Sequence, residues 1–183
     1  MVTTRLYTSD DLYAMGSDAP FELIQGELIR VSPANPRVNR VLQYVNFLLY
    51  GFVAERGIGE VYAVEAGFTI EVDPDTVVGP DVAYVSNDRI PDPYPDHGFV
   101  RIVPNLIVEV VSPSDEPGEM KRKQAAYERA GVPLVWWINP IRKSAVICPL
   151  GQEPTKLERT GILDAGSVLP GFSLHLEIAL SKF

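Results

Sequence analysis

Residues 106–111 read Leu-Ile-Val-Glu-Val-Val, an almost continuously apolar run that lies between Asn105 and the dipeptide Ser112-Pro113. A short run of this kind, rich in β-branched residues and closed by turn-forming residues, predicts a central strand that is buried on both faces of a sheet. The one charged residue in it is Glu109, which packing alone does not explain.

The segments that follow this strand predict a helix and two further strands. A helix is expected over residues ~117–130, because Gly131 ends it and Pro133 lies just beyond. Residues 134–138 form another short apolar run, and residues 145–150 are expected to pair with it after an Asn-Pro turn.

The segments before the strand predict a hairpin, a long helix and more β-structure. Residues 21–31 alternate between apolar and polar side chains around a Gln-Gly turn, which is typical of a hairpin. Apolar residues recur at helical spacing over residues ~36–56 and predict one amphipathic helix. Residues 61–72 and 77–85 are β-rich stretches with an Asp-Pro-Asp turn between them.

This order of elements predicts the α/β (α+β) class, with a mixed sheet flanked by helices. The chain has 183 residues, which suits a single domain over residues 1–183. The lone cysteine, Cys148, cannot form an internal disulfide and fits a reducing, cytoplasmic environment. No apolar run reaches the ~20 residues that a membrane-spanning helix needs, so no membrane association is expected.

The charge balance limits the classes of partner. The formal net charge is −8, whereas a protein that binds nucleic acid by neutralising its phosphates is usually basic. Tight, non-specific binding of nucleic acid is therefore not expected. An acidic chain is compatible with converging carboxylates that a divalent cation partly neutralises.

Two acids lie among apolar residues on predicted strands. Glu109 interrupts the central strand, and Asp81 lies near the start of the strand that runs to residue 85. Burying a carboxylate is expensive unless a cation or a hydrogen-bond donor meets it. Two such carboxylates could converge on Mg²⁺ or Mn²⁺. The alternative, an acid that faces solvent or caps a turn, is less favoured for Glu109 and stays open for Asp81.

A lysine on the predicted helix after residue 117 is a third candidate. Lys123 and Tyr127 are four residues apart and therefore share one helical face. That face also carries Met120 and Ala130, so it is expected to point inward. A lysine there is explained if its ammonium reaches Asp81 and Glu109. A basic triplet such as residues 121–123 is otherwise usually a solvated helical face.

Five motifs stand in order over most of the chain, roughly from residue 8 to residue 176. They are the segments Phe-Glu-Leu-Ile-Gln-Gly-Glu-Leu (21–28), Pro-Asp-Val (80–82), Glu-Val-Val-Ser-Pro-Ser (109–114), Lys123 to Tyr127 with Gly-Val-Pro (131–133), and Leu-Pro-Gly-Phe (169–172). In these motifs the chain resembles the Uma family, described as putative restriction endonucleases, within the PD-(D/E)XK nuclease superfamily.

The resemblance implies a restriction-endonuclease-like fold and a metal-dependent site. It assigns the metal ligands to Asp81, Glu109 and the main-chain carbonyl of Val110, with Mg²⁺ (or Mn²⁺) as the cofactor. It assigns the catalytic lysine to Lys123, on the helix that follows the Glu109 strand. Glu22 matches the glutamate of the family's early hairpin and is implied as an extra ligand or a supporting group.

Two positions depart from the expected pattern. The superfamily's usual lysine, two residues after the acid, is Val111 here, and the Uma-type pattern moves that lysine to the helix. The family often has a histidine at the start of the long helix, where this chain has Val38.

The activity implied is hydrolysis of DNA phosphodiester bonds by an endonuclease or phosphodiesterase. Since cutting a duplex requires two sites, a homodimer is expected by analogy. Four cations are expected to flank the site and hold DNA: Arg37, Arg40, Lys121 and Arg122. The alternative is a nuclease-like domain without catalysis that serves as a binding or assembly module.

Overall fold

The computed structural model describes residues 5–16, 19–31, 35–63, 66–113 and 115–181. The helices are α1 (Ser9–Ala14), α2 (Pro36–Arg56), α3 (Pro117–Ala130) and α4 (Leu176–Leu180). The strands are β1 (Phe21–Ile24), β2 (Glu27–Arg30), β3 (Gly59–Ala63), β4 (Phe68–Glu71), β5 (Thr76–Val78), β6 (Val82–Ser86), β7 (Leu106–Val110), β8 (Leu134–Asn139), β9 (Ser144–Pro149), β10 (Thr155–Leu157), β11 (Ile162–Asp164) and β12 (Ser173–His175).

The largest sheet has six strands in the order β10-β9-β8-β7-β6-β3. Strands β7 and β8 run parallel, with helix α3 between them in the chain, and the other neighbours in this sheet run antiparallel. A second sheet has the order β2-β1-β5-β4, and β11 pairs with β12. The predicted mixed sheet flanked by helices is confirmed.

Strand β7 lies inside the six-stranded sheet, and all five of its residues are buried. Side chains that alternate along a strand point to opposite faces. Val108 and Val110 belong to the core on the α2 side, whereas Ile107 belongs to the core that contains Tyr127 of α3. The six-stranded sheet therefore separates α2 from the layer formed by α3 and the four-stranded sheet.

Local end signals fix both long helices where the sequence predicts them. In α2, the Asn35 side chain accepts a hydrogen bond from the Arg37 N–H at 2.9 Å, and Pro36 begins the helix. Gly57 ends α2 in the left-handed conformation at φ 60°. Gly131 ends α3 in the same way, at φ 77°. A left-handed residue at this position favours glycine because it has no Cβ.

The two β-rich stretches before residue 87 each divide between two sheets. Strand β3 joins the six-stranded sheet and β4 the four-stranded sheet, and residues 64–65 between them lie outside the described residues. Likewise β5 and β6 belong to different sheets. Here the Gly79 N–H donates to the Glu22 side chain at 2.8 Å, and Pro80 has no N–H to continue a ladder.

No helix in the described part of the chain is both long and apolar enough to span a lipid bilayer.

Candidate active site

Asp81 and Glu109 meet at one end of the six-stranded sheet. Val82 of β6 pairs with Val108 of β7 in an antiparallel register, which sets the preceding Asp81 beside the following Glu109. Asp81 Oδ2 accepts a hydrogen bond from the Val110 N–H at 2.7 Å. The side chain of Asp81 thereby continues the hydrogen bonding between β6 and β7 beyond the start of β6.

Glu109 projects from β7 towards helix α3. Its side chain is only 9% exposed, and Oε1 lies 2.9 Å from Lys123 Nζ. The same oxygen accepts a short hydrogen bond from the hydroxyl of Tyr127, which is fully buried. A cation and a neutral donor therefore both compensate this buried carboxylate.

Lys123 lies between two glutamates. Besides its contact with Glu109, Nζ lies 3.1 Å from Glu22 Oε1. Lys123 and Tyr127 are one helical turn apart on α3, so both reach the same carboxylate from one helical face. Sequence alone left open that residues 121–123 form a solvated helical face. Lys121 and Arg122 are exposed and fit that alternative, whereas Lys123 does not.

Glu22 enters the cluster from the four-stranded sheet. Its Oε1 accepts hydrogen bonds from both Lys123 and the Gly79 N–H. The side chain is 7% exposed. Glu22 thus fixes the position of the lysine and of the chain segment just before Asp81.

Burial and like charge alter the proton affinities in this cluster. Burial, followed by repulsion from Glu109, raises the pKa of Asp81 to about 7, although the hydrogen bond from Val110 opposes the rise. Burial also raises the pKa of Glu109, against the opposing effects of Lys123 and Tyr127. For Lys123, burial lowers the pKa, but Glu109 and Glu22 outweigh it and raise the pKa well above its ordinary value. Lys123 therefore stays a cation at neutral pH.

The oxygen donors suit a hard divalent cation. Among the described residues, no three His, Cys, Asp or Glu side chains are grouped so as to hold a metal ion. Mg²⁺ usually binds through one or two carboxylates and keeps several waters. The carboxylates of Asp81 and Glu109 are a donor set of that size, so the residues present fit such an ion.

Tyr127 is the residue of this cluster to which sequence reasoning assigned no role. Its signal was its spacing from Lys123, which put both on the inward face of α3. The structure adds that its hydroxyl donates to Glu109. Burial, followed by repulsion from Glu109, raises the pKa of Tyr127 well above its ordinary value, so its hydroxyl keeps its proton at neutral pH.

Two sequence positions lie away from this cluster or outside the described residues. Val38 is buried in the core on the α2 side of the six-stranded sheet, the face opposite to Glu109, so its side chain does not contribute to the cluster. Ser114, the last residue of the motif that begins at Glu109, lies outside the described residues.

The four cations expected to flank the site divide between two layers. Lys121 and Arg122 are exposed on α3, and Arg122 pairs with Glu27 at 2.6 Å. Arg37 and Arg40 are exposed on α2, on the other side of the six-stranded sheet. The turn after β8 adds two exposed cations that the sequence analysis did not select, Arg142 and Lys143. Because β8 runs parallel to β7, this turn and Glu109 lie at the same end of the two strands.

The chain is similar to one protein family and to a solved structure. The family model Uma2, described as "Putative restriction endonuclease", matches residues 7–179. Comparison with curated proteins gives no match. A crystal structure described as a putative nuclease belonging to DUF820, from Anabaena variabilis ATCC 29413, matches with a TM-score of 0.81 and 18% identity. The match covers 96% of this chain and 98% of that chain, and it establishes the shared fold.

Proposed function

The chain belongs to the Uma2 family, and on this premise we propose that it is a divalent-metal-dependent endonuclease that hydrolyses phosphodiester bonds in DNA. The observation that carries the proposal is the contact of Lys123 Nζ with Glu109 at 2.9 Å, next to Asp81. A buried ion pair is weak evidence for stability, since an apolar pair of similar volume usually stabilises a fold as well. Strongly perturbed carboxylates beside a lysine are typical of a functional site.

Asp81, Glu109 and the main-chain carbonyl of Val110 are the proposed ligands of Mg²⁺ or Mn²⁺. The Val110 N–H donates to Asp81, and in an extended strand the N–H and C=O of one residue point to the same side. The carbonyl therefore faces the Asp81 side of β7. A divalent cation bound here would lower the pKa of an attacking water and offset the negative charge of the phosphate.

Lys123 is the proposed electrostatic catalyst. Its ammonium is held from two sides by Glu109 and Glu22, so it is oriented before substrate arrives. A preorganised charge of this kind stabilises the negative charge that develops on the phosphate in the transition state. Glu22 acts in this scheme through the lysine, and Tyr127 through Glu109. Both are therefore positioning residues in the proposed mechanism.

The proposed substrate is DNA, in spite of the net charge of −8. A local cluster of cations can hold phosphates even when the whole protein is acidic. Lys121 and Arg122 on α3, together with Arg142 and Lys143 after β8, are the exposed cations that support this. The remaining parts of the proposal are a single nuclease domain over residues 1–183, a homodimer and a cytoplasmic location.

A non-catalytic nuclease-like module is the second candidate. The acidic net charge favours it, because such a chain repels the phosphate backbone at long range. In that case the cluster around Lys123 would serve to fix the two sheets relative to each other. Assays of metal binding and of DNA cleavage distinguish the nuclease from the non-catalytic module.

The direct test is cleavage of supercoiled plasmid DNA with Mg²⁺, with Mn²⁺ and with a chelator. We expect nicking that requires the metal, and a loss on the order of 10²-fold or more in Asp81→Asn and in Lys123→Met. Glu60→Gln, an exposed acid on β3, is the matched control and should cleave like the wild type.

Absence of cleavage by the wild type with either metal, on duplex and single-stranded DNA, would support the non-catalytic module. If both Asp81→Asn and Lys123→Met cleave DNA as well as the wild type, this cluster takes no part in the reaction.

A further inference from the structure

A cleft opens beside the edge strand β3. Its walls come from α1, β3, β4 and the segment 87–100, and it has an outer part of about 800 Å³ and an inner part of about 260 Å³. Tyr62 and Tyr94 line both parts, so the two parts adjoin. Small-molecule sites in proteins usually have volumes of about 300–1,000 Å³. The cleft is therefore large enough to hold a small organic molecule.

Aromatic rings line most of the inner part of the cleft. The ring centroids of Tyr13 and Phe99 lie 5.7 Å apart and the two rings meet edge to face. Tyr62 and Phe68 meet in the same way, with their centroids 5.3 Å apart. Tyr94 supplies a fifth ring. An apolar cavity of about 150 Å³ can hold benzene, so the inner part has room for a body of one or two aromatic rings.

The outer part of the cleft carries negative charge. Its lining includes two carboxylates, Glu60 and Asp92, and the described residues that line the two parts include no Lys, Arg or His. Neither carboxylate has an ion-pair partner within the part of the chain that the structure describes. Burial, followed by hydrogen bonding with Tyr94, raises the pKa of Tyr62 above its ordinary value, so Tyr62 adds no charge at neutral pH. The field in the cleft therefore favours a cation.

The wall formed by the segment 87–100 is fixed to β4. The Thr69 N–H donates a hydrogen bond to the Val100 carbonyl at 2.8 Å. The ring of Phe99 lies so close to Gly67 that a Cβ atom at this glycine would be 2.2 Å from it. Preformed walls of this kind reduce the ordering that a ligand must impose when it binds.

We infer that this cleft binds a small organic cation that has an aromatic body. The aromatic body occupies the inner part, where ring edges and faces are available for packing. The cationic group lies in the outer part, where the rings of Tyr62 and Tyr94 attract a positive charge. The carboxylate of Asp92 compensates that charge.

The same charge excludes a nucleotide as the ligand. Proteins that bind single-stranded nucleic acid also stack bases on aromatic rings, but their grooves are positively charged along the phosphates. Here the outer part presents two carboxylates, so a phosphate next to it would be repelled. In its charge the cleft is thus the opposite of the surface around Lys121 and Arg142 that is proposed for DNA.

The cleft is separate from the cluster around Lys123. Tyr62 lies on the edge strand β3, whereas Glu109 lies on β7, two strands further into the sheet. The described lining of the cleft contains no residue of the cluster. Binding of an organic cation here therefore does not depend on the proposed nuclease activity.

Isothermal titration calorimetry with two small probes tests the class of ligand. Tryptamine and indole-3-propionate share an indole ring and carry terminal groups of opposite charge. Tryptamine should bind with a dissociation constant between about 10 μM and 1 mM, a range set by its small size. Indole-3-propionate should bind at least about 10-fold more weakly, because its carboxylate is repelled. Equal affinity for the two probes, or no binding of tryptamine at millimolar concentration, would overturn the inference.

Two variants and a matched control locate the binding. Tyr94→Ala removes a ring from both parts of the cleft and Asp92→Asn removes a charge, so each should weaken tryptamine binding by about 3- to 5-fold. Both side chains are exposed, so the melting temperature should stay close to that of the wild type. Asp96→Asn, at an exposed acid of the same segment that does not line the cleft, should bind tryptamine like the wild type. Unchanged affinity in Tyr94→Ala or in Asp92→Asn would overturn the inference.

Backbone amide chemical shifts distinguish the cleft from the cluster, whose carboxylates also attract cations. Tryptamine should shift the amide signals of Tyr62 and Phe99. The signal of Val110, whose N–H donates to Asp81, should stay unchanged. A shift at Val110, or none at Tyr62 and Phe99, would contradict binding in the cleft.

Discussion

Lys123 Nζ lies 3.1 Å from Glu22 Oε1 and so joins helix α3 to the four-stranded sheet. The same nitrogen lies 2.9 Å from Glu109 Oε1 on the six-stranded sheet. One ammonium therefore compensates two carboxylates that come from different sheets. Removing any member of this group changes the electrostatic environment of the other two.

Replacing Lys123 with methionine should destabilise the fold. The change leaves the buried carboxylates of Glu22 and Glu109 without their cation, and breaking a buried ion pair in this way costs roughly 3–5 kcal/mol. The free energy of unfolding in urea measures the effect. Lys121→Met, on the exposed face of the same helix, should change it by less than about 0.5 kcal/mol. Equal stability of the two variants would show that the buried lysine contributes nothing. Adding Glu22→Gln to Lys123→Met should restore part of the loss.

Removing the hydroxyl of Tyr127 should lower both stability and cleavage. In Tyr127→Phe the ring still fills the core, but Glu109 loses a donor, which costs about 1.5–3 kcal/mol for a bond to a charged group. Tyr84→Phe is the matched control, because its hydroxyl donates to the Ile58 carbonyl at 3.2 Å, away from the cluster. We expect plasmid cleavage to fall in Tyr127→Phe and to be unchanged in Tyr84→Phe. A similar rate in both variants would assign Tyr127 to packing alone.

The raised pKa of Asp81 makes stability depend on pH. The pKa of an unfolded aspartate is near 4, whereas burial raises the pKa of Asp81 in the folded protein to about 7. The folded state therefore holds this proton more tightly, and the contribution of Asp81 to stability is lost as the pH rises from about 4 to about 7.

Asp81→Asn does not titrate, and its amide oxygen can still accept the Val110 N–H. Relative to the wild type, its free energy of unfolding should rise by roughly 2–3 kcal/mol between about pH 5 and about pH 8. Urea titration at several pH values measures this difference. A difference that stays constant with pH would contradict the raised pKa of Asp81.

A divalent cation should raise the melting temperature through the two carboxylates. A ligand that binds only the folded state stabilises it in proportion to the logarithm of its concentration. Scanning calorimetry with millimolar Mn²⁺ should show the rise in the wild type and in Glu60→Gln, but not in Glu109→Gln. If Glu109→Gln responds like the wild type, the cation binds elsewhere.

Reversing the charge of Lys121 should weaken DNA binding and should make the binding constant less dependent on salt concentration. Each lost phosphate contact lowers the slope of log K against log salt concentration by about 1. Fluorescence anisotropy with a labelled duplex measures this for Lys121→Glu, with Lys156→Glu on β10 as the exposed control. The affinity for Mn²⁺ should be the same in both variants. Equal salt slopes would place the DNA on another surface.

Sequence alone predicts the elements whose signals are local. Helices α2 and α3 begin at prolines and end at glycines, so their bounds could be predicted closely. The division of residues 61–72 between two sheets could not, because alternation predicts a strand but not its partner. The spacing of Lys123 and Tyr127 likewise predicts that they share one helical face. It does not predict which residues they contact, because those residues lie elsewhere in the chain.

Glu22 and Lys123 are 101 residues apart in sequence, yet they touch in the folded protein. The chain must close a large loop before this contact stabilises anything, so we expect the contact to form late in folding. The hairpin that carries Glu22 leaves the ribosome long before α3 does. A nascent chain therefore has no complete cluster, and recovery of cleavage during refolding would report the arrival of the last tertiary contacts rather than the formation of individual helices.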